Sequence, residues 1–223
     1  MRSDYLIGIS FVGGPDYLRR ALASIGEKHL EHVAVINSSE PEQRQNLCND
    51  EWNEYVPVVP LSHTQSVNYI FRLGANCDAV FMVHNDAECE PDTIDKLLAM
   101  LPTLPDKWST VFTLYDCVAM YNPRALAEVG PWDWRLFPSY YSDPDWYRRC
   151  RLAGWWMIES HLPVKHEGSH IINKVDKRAK YLNHMLLSNF AREAYIRKWG
   201  GPPGEETYTK EFNGELENPY PDA

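Results

Sequence analysis

The sequence predicts an α/β domain built on an open, mixed and mostly parallel sheet that is flanked by helices. Short apolar runs alternate along the chain with segments whose apolar residues recur at helical spacing. Each run ends at glycine, proline, serine or asparagine, the residues that turns use. Because strands that alternate with helices pair in parallel through right-handed crossovers, this order predicts one wound sheet.

Four strands follow from the apolar runs. Residues 5–12 form the first run, and Gly13-Gly14-Pro15 ends it. Residues 32–37 form the second run, which Ser38, Ser39 and Pro41 terminate. The third and fourth strands are predicted at residues 56–59, where Pro57 weakens the pattern, and at residues 78–83.

Helices are predicted between and after these strands. The first follows the Gly13-Gly14-Pro15 turn, because five apolar residues there share one helical face: Tyr17, Leu18, Ala21, Leu22 and Ile25. Others are predicted at residues 42–52, 65–74 and 91–101, with Pro91 suited to a first helical turn. A long C-terminal helix is predicted at residues 176–199.

Composition limits the function classes. The formal net charge of -9 argues against electrostatic binding to nucleic-acid phosphates. Five cysteines, without a C-x-x-C pair, predict reduced thiols rather than a disulfide framework. No apolar stretch approaches the roughly 20 residues that span a bilayer. We therefore expect a soluble protein of a reducing, cytoplasmic compartment, or of the host cytoplasm if the chain is viral.

Length and composition also predict the domain organisation. With 223 residues, the chain is long enough to bury one full core, and we expect a single domain over residues 1–199. Residues 200–223 form a tail that is rich in glycine, proline and acidic residues. This tail could pack back over the domain, mediate oligomer contacts or stay loose.

Small and polar residues follow three of the predicted strands. They lie at residues 10–15, 37–39 and 84–88. Since ligands of such sheets bind beyond the carboxyl ends of the strands, we expect these loops to form one rim. Asp86, delivered by an apolar strand, could hold a divalent cation that bridges two phosphates. The alternative is that Asp86 is a surface turn residue.

A second acidic segment comes later in the chain. Aromatic residues at 137–141 precede Asp143, Pro144 and Asp145, and a helix is predicted to run from there to Gly154. Two carboxylates thus stand at the head of this helix. An alternative to a functional role is that Asp143 caps the helix and Asp145 complements its dipole.

Together these segments resemble the family 2 glycosyltransferases of the GT-A fold over about residues 5–170. The strand that ends in His84-Asn85-Asp86 looks like the strand that carries that family's Asp-x-Asp motif. Asp143-x-Asp145, with Arg149 and Ala153-Gly154, looks like its acidic acceptor-side motif. His166, with Gly168 and Ser169, looks like its late metal- or diphosphate-binding histidine.

The resemblance implies inverting transfer of a sugar from a UDP-, GDP- or dTDP-sugar to a hydroxyl group, with Mn²⁺ or Mg²⁺. It assigns the metal to Asp86 and His166, and the base to Asp143, with Asp145 second. The acceptor could be a glycan, a lipid-linked precursor, a protein or modified nucleic acid. The residues expected to bind the donor are Ser10, Phe11, Val12, Gly13, Asn37, Ser39, Gln65, Asn85 and Asp86. Since sugars stack on aromatic rings, Trp132 and Tyr140 are expected to bind the acceptor.

The chain also departs from the family pattern. His84 and Asn85 stand where acids are expected, so Asp86 is predicted to be the one metal ligand among the three. Ser142 replaces the usual glutamate before Asp143, which keeps open a nucleotide-sugar or glycan-binding module that lacks the base. A nucleotidyltransferase is a further alternative, but its basic phosphate loop is missing, since no Arg or Lys follows the first strand until Arg19.

Overall fold

The computed structural model describes residues 4–43, 47, 51–167 and 189–215. The strands are β1 Tyr5–Phe11, β2 Val33–Asn37, β3 Asn53–Tyr55, β4 Ala79–Val83, β5 Ala87–Cys89, β6 Trp108–Thr113, β7 Tyr115–Tyr121, β8 Trp156–Glu159 and β9 Val164–His166. The helices are α1 Pro15–Ile25, α2 His63–Leu73, α3 Thr93–Met100, α4 Pro123–Val129, α5 Ser142–Leu152 and α6 Asn189–Trp199.

Seven strands form one sheet in the order β3-β2-β1-β4-β7-β6-β8, and β5 pairs with β9 in a separate two-stranded sheet. Strands β3, β2, β1 and β4 pair in parallel, and β6 pairs in parallel with β8. Strand β7 is antiparallel to both of its neighbours. The predicted open, mixed and mostly parallel sheet is therefore confirmed. The hairpin of β6 and β7 was not predicted.

Both faces of the large sheet are covered, which explains why its central strands are continuous apolar runs. On one face, side chains of β1 and β4 such as Ile9 and Phe81 pack with α1 and α3. On the other face, Val80 and Met82 of β4 pack with α2 and α5, including Ile70. The two clusters hold the carboxyl ends of β1 and β4 side by side.

Two predicted elements are wrong in place or type. The third strand lies at Asn53–Tyr55 rather than at residues 56–59, where Val58 is 97% exposed. Pro57 lacks the N–H group that a paired strand needs. Where residues 42–52 are described, they form a 3₁₀ turn at Pro41–Gln43 and a bend at residues 51–52, and residues 44–46 and 48–50 lie outside the description.

Helix ends differ in smaller ways from the prediction. Pro91 precedes α3, which begins at Thr93 after Asp92. The predicted helix at residues 176–199 is described only over Asn189–Trp199, where it is confirmed. None of the described helices has the length and apolarity needed to cross a membrane. The four described cysteines, Cys77, Cys89, Cys117 and Cys150, are unpaired.

The described part of the tail packs back onto α5 and α6. The backbone N–H groups of Thr207 and Tyr208 both donate to the carbonyl of Trp199, at 3.1 and 2.9 Å. Arg148 of α5 donates to the carbonyl of Tyr208 at 2.7 Å. The tail thus ties the end of α6 to the side of α5.

Helix α2 packs on β1 at a place where only glycine fits. A Cβ atom at Gly8 would overlap the side chain of Ile70, whereas one at Gly13 would meet no atom within 4 Å. We expect Gly8→Ala to lower the free energy of unfolding by about 1–3 kcal/mol, because the packed helix must shift. Urea unfolding measures this, with Gly13→Ala as the control. Equal stability of the two variants would contradict the close approach of α2.

Candidate active site

A cavity of about 290 Å³ opens at the carboxyl ends of β1 and β4. Ser10 and Val12 line one side, and the segment from Met82 to Asp86 lines the floor. The residues around the start of α5, His166 from β9 and Asp116 from β7 complete the wall. Because β7 runs antiparallel to β4, its amino end lies at the same rim as the carboxyl end of β4. Two of the three loops predicted to form the rim, at residues 10–15 and 84–88, therefore contribute to a concave site, and the loop at residues 37–39 does not.

Three side chains in this cavity could hold a metal ion. One ligand atom each from His84, Asp86 and His166 lies within 4.8 Å of the other two. His84 and Asp86 follow β4, whereas His166 ends β9 and reaches them because the β5–β9 ladder sets Ala87 opposite it. The Nε2 atom of His166 lies 3.2 Å from Oδ1 of Asp86. Two imidazoles and a carboxylate form a donor set that suits a divalent transition metal.

The interaction between Asp86 and His166 shifts the pKa of both groups. Burial opposes ionisation of Asp86, but the hydrogen bond and the charge of His166 outweigh it, so the pKa of Asp86 is lowered. The same hydrogen bond raises the pKa of His166 against the effect of burial. Asp86 is only 8% exposed, so it is not the surface turn residue of the alternative interpretation.

His84 is a candidate ligand that the sequence interpretation excluded. It stands where the resembled motif has an acid, but the centroid of its ring lies 5.4 Å from the centroid of the His166 ring. The His-x-Asp spacing was the available signal. His63 at the start of α2 also lines the cavity and was missed. Burial, then the nearby His84, lowers the pKa of His63 to about 4, so this imidazole is neutral at neutral pH.

The two aspartates that were predicted as bases lie in different surroundings, although both belong to the first turn of α5. The helix begins at Ser142 after Tyr141, which has φ 68° and no side-chain cap hydrogen bond. Asp143 is therefore not the helix cap of the alternative interpretation, and it lines the cavity. Asp145 is fully buried elsewhere and is not among the lining residues.

Both carboxylate oxygens of Asp145 are engaged in the protein interior. Oδ1 accepts from Nε1 of Trp199 at 2.9 Å and lies 2.8 Å from Nζ of Lys198. Oδ2 accepts from Nε of Arg149 at 3.1 Å. Arg149 also donates to the carbonyls of Val129 and Pro131. Asp145 and Arg149 thus fasten α5 to α6 and to the loop after α4.

Asp116 is an acidic residue of the cavity that the sequence interpretation missed. It lines the cavity together with Asp143. Burial and the neighbouring Asp116 raise the pKa of Asp143 well above its ordinary value. No motif surrounds Asp116, so only the tertiary structure reveals it.

The residues predicted to bind the donor are divided by the structure. Ser10, Val12, Asn85 and Asp86 line the cavity, and Nδ2 of Asn85 donates to the carbonyl of Gly13 at 3.2 Å. Phe11 belongs to the core. Their roles stay predictions.

Three predicted donor residues form internal hydrogen bonds. Asn37 is buried, donates to Oε1 of Glu54 at 2.6 Å and accepts from the hydroxyl of Ser39. Gln65 belongs to the capping box of α2, where it accepts from the N–H of Ser62. None of Asn37, Ser39 and Gln65 is among the residues that line the cavity.

Both predicted acceptor residues line the cavity. Trp132 is 3% exposed, and its indole Nε1 is buried without a hydrogen-bond partner in the described protein. Tyr140 lies on the same wall, before α5. This nitrogen has almost no accessible surface, so the acceptor-binding role of Trp132 stays a prediction. Gly168 and Ser169, which were compared with the late histidine motif, lie outside the described residues.

Comparison with protein-family models gives no match to the sequence, and no curated protein matches it. Solved structures do match. Mannosyltransferase PcManGT from Pyrobaculum calidifontis, solved with GDP-Man and Mn²⁺, superposes with a TM-score of 0.63 at 12% identity, covering 91% of this chain and 67% of that chain. The chain has a GT-A glycosyltransferase fold.

Two further GT-A structures agree. GalNAc-T7, solved with UDP, GalNAc and Mn²⁺, has a TM-score of 0.61 at 12% identity, over 74% of this chain and 44% of that chain. TarS of S. aureus has a TM-score of 0.53 at 12% identity, covering 75% of this chain and 37% of that chain. The chain thus spans less than half the length of these two proteins.

The role of His84 in the candidate metal site can be tested by mutation. We expect His84→Ala to weaken Mn²⁺ binding at least about tenfold, because one of three close donor atoms is lost. Isothermal titration with Mn²⁺ measures it, and His161→Ala, an exposed histidine, is the control. Unchanged affinity in His84→Ala would show that His84 is no ligand.

Proposed function

We propose that the protein is a metal-dependent glycosyltransferase that moves a sugar from a nucleoside-diphosphate donor to an acceptor hydroxyl with inversion. The observation that carries this proposal is one cavity with His84, Asp86 and His166 on one wall and Asp143 on another. The structurally similar mannosyltransferase and GalNAc-T7 were solved with a nucleotide or nucleotide sugar and Mn²⁺. The resemblance to family 2 enzymes supports the inverting mode.

Inverting transfer needs a base that accepts the proton of the acceptor hydroxyl. We assign this role to Asp143 rather than Asp145, because Asp143 lines the cavity and both oxygens of Asp145 are engaged. The raised pKa of Asp143 makes its ionised form a stronger base than an ordinary aspartate.

The leaving diphosphate gains negative charge, and a cation bound at His84, Asp86 and His166 would stabilise that charge. Two imidazole ligands favour Mn²⁺ over Mg²⁺, because Mg²⁺ prefers oxygen ligands. We assign the donor, a UDP-, GDP- or dTDP-sugar, to the side of the cavity formed by Ser10 and Val12. The unpaired cysteines suit a reducing, cytoplasmic compartment.

The roles of the two aspartates are separable by mutation. We expect Asp143→Asn to slow transfer at least about 100-fold, because the proton acceptor is lost, with little change in donor affinity. We expect Asp86→Ala to weaken Mn²⁺-dependent donor binding about tenfold. Release of nucleoside diphosphate from a panel of UDP-, GDP- and dTDP-sugars, with calorimetry for binding, measures both.

The matched control is Asp106→Asn, since Asp106 is exposed on the surface and pairs only with Arg124 among the contacts described for it. Full transfer by Asp143→Asn would remove Asp143 as the base. Tight donor binding by the unmodified protein, with no diphosphate release from any donor, would favour a binding module over an enzyme.

A further inference from the structure

We propose that Asp116 is a positioning residue that lies with Asp143 where two cavities meet and favours transfer of the acceptor-hydroxyl proton to Asp143. We further propose that this pair closes the inner end of a second cavity that binds a neutral saccharide as the acceptor. The inference rests on the proposed function and deepens it, because it gives the acceptor a place and a chemical class.

The geometry of two cavities carries the proposal. A second cavity, of about 710 Å³, lies beside the cavity that holds the candidate metal ligands. Asp116 and Asp143 are the two residues that line both cavities. A hydroxyl group that enters from the second cavity therefore meets the carboxyl pair before it meets the donor side.

The lining of the second cavity selects the class of acceptor. Phe112 and Tyr147 supply aromatic rings in T-shaped contact, and Leu114, Leu162 and Pro163 supply apolar surface. Sugar rings bind such surfaces with their C–H faces, and their hydroxyl groups bind carboxylates.

The charged residues of the second cavity argue for a neutral ligand. Glu159 and His161 join the two aspartates in its lining. Among the described residues that line it, there is no lysine or arginine to bind a phosphate group. An uncharged sugar therefore fits this surface better than a phosphorylated acceptor.

Both carboxyl groups take part in the chemistry of the transfer step. Asp116 and Asp143 line the same two cavities, and the charge of Asp116 opposes ionisation of Asp143. In the transfer step, the acceptor O–H bond breaks and its proton passes to the ionised Asp143. The acceptor oxygen bonds to the anomeric carbon, and the bond from that carbon to the diphosphate oxygen breaks. The nearby charge of Asp116 then stabilises the protonated form of Asp143.

Other titratable groups surround this pair. The charges of the pair act on Tyr121 of β7 and Tyr147 of α5, whose hydroxyl groups lie 2.9 Å apart, and both tyrosines remain protonated because burial raises their pKa well above the ordinary value. The charge of Asp145, which lies on the same helix as Asp143, also raises the pKa of Asp143. The remaining groups line the two cavities and are His63, His84, Asp86, Glu159, His161 and His166. Substitution at Asp116 leaves all of these in place.

The test is the pH profile of kcat/KM for Asp116→Asn. Asp143 acts when ionised, so the rate rises with pH through its raised pKa. Loss of the neighbouring negative charge lowers that pKa, so we expect the acid limb to move down by about one pH unit and the plateau to fall about tenfold. Asp116→Glu, which keeps the charge, should retain the position of the limb, and Asp106→Asn is the surface control.

Each outcome decides the proposal. A loss of rate at every pH without movement of the acid limb would show a structural role for Asp116 and overturn the inference. If circular dichroism shows that Asp116→Asn is unfolded, Asp116→Ser replaces it with the same expected shift. If the unmodified protein releases no diphosphate from any donor, the proposed function fails, and saccharide binding still tests the cavity.

Saccharide binding is measured without donor by saturation-transfer NMR with neutral methyl glycosides, their 6-phosphates and a Ser/Thr peptide. We expect neutral glycosides to bind, and Leu162→Arg in the second cavity to weaken binding about tenfold by filling it. Val59→Arg, at an exposed position, is the control. Binding of only the phosphates or the peptide, or of none of the probes, would overturn the assignment of the acceptor class.

Discussion

The candidate metal site depends on one short antiparallel ladder between β5 and β9. Its register sets Ala87 opposite His166, and the N–H of Glu167 extends the ladder by donating to the carbonyl of Asp86 at 3.2 Å. This pairing joins residues 80 positions apart, and it brings the imidazole of His166 to the carboxylate of Asp86. Arg20 of α1 braces the ladder from outside, through ion pairs with Glu88 and Glu167. The candidate ligands are therefore held by backbone geometry rather than by side-chain packing alone.

The parts of the fold that the sequence predicts are those governed by local patterns. Strands β1, β2 and β4 are buried on both faces and so form largely apolar runs, and turn-forming residues follow them within two positions. The strand predicted at residues 56–59 is wrong, because the valines of this exposed segment resemble the apolar run of a strand. Asp116 could not be predicted, since its place in the site depends on the antiparallel return of β7 beside β4. His84 had a signal in its spacing, but its role depends on the distant His166.

Helix geometry explains why two aspartates in one motif have different surroundings. Successive residues of an α-helix are separated by about 100° around the axis, so residues two apart point about 200° from each other. Asp143 therefore faces the cavity when Asp145 faces the interior. There Asp145 meets Lys198, a lysine that is 2% exposed and that also contacts Asp133 and Glu211. Burial opposes the charge of Lys198, but these carboxylates outweigh it and its pKa is raised.

The contact between Asp145 and Lys198 has a consequence for local unfolding. Asp145 depends on α6 for both the charge of Lys198 and the hydrogen bond from Trp199. A buried carboxylate without its cationic partner is strongly destabilised. Detachment of α6 would therefore loosen the first turn of α5, which also carries Asp143. The cavity wall at Asp143 is thus only as ordered as the docking of a helix that does not line the cavity.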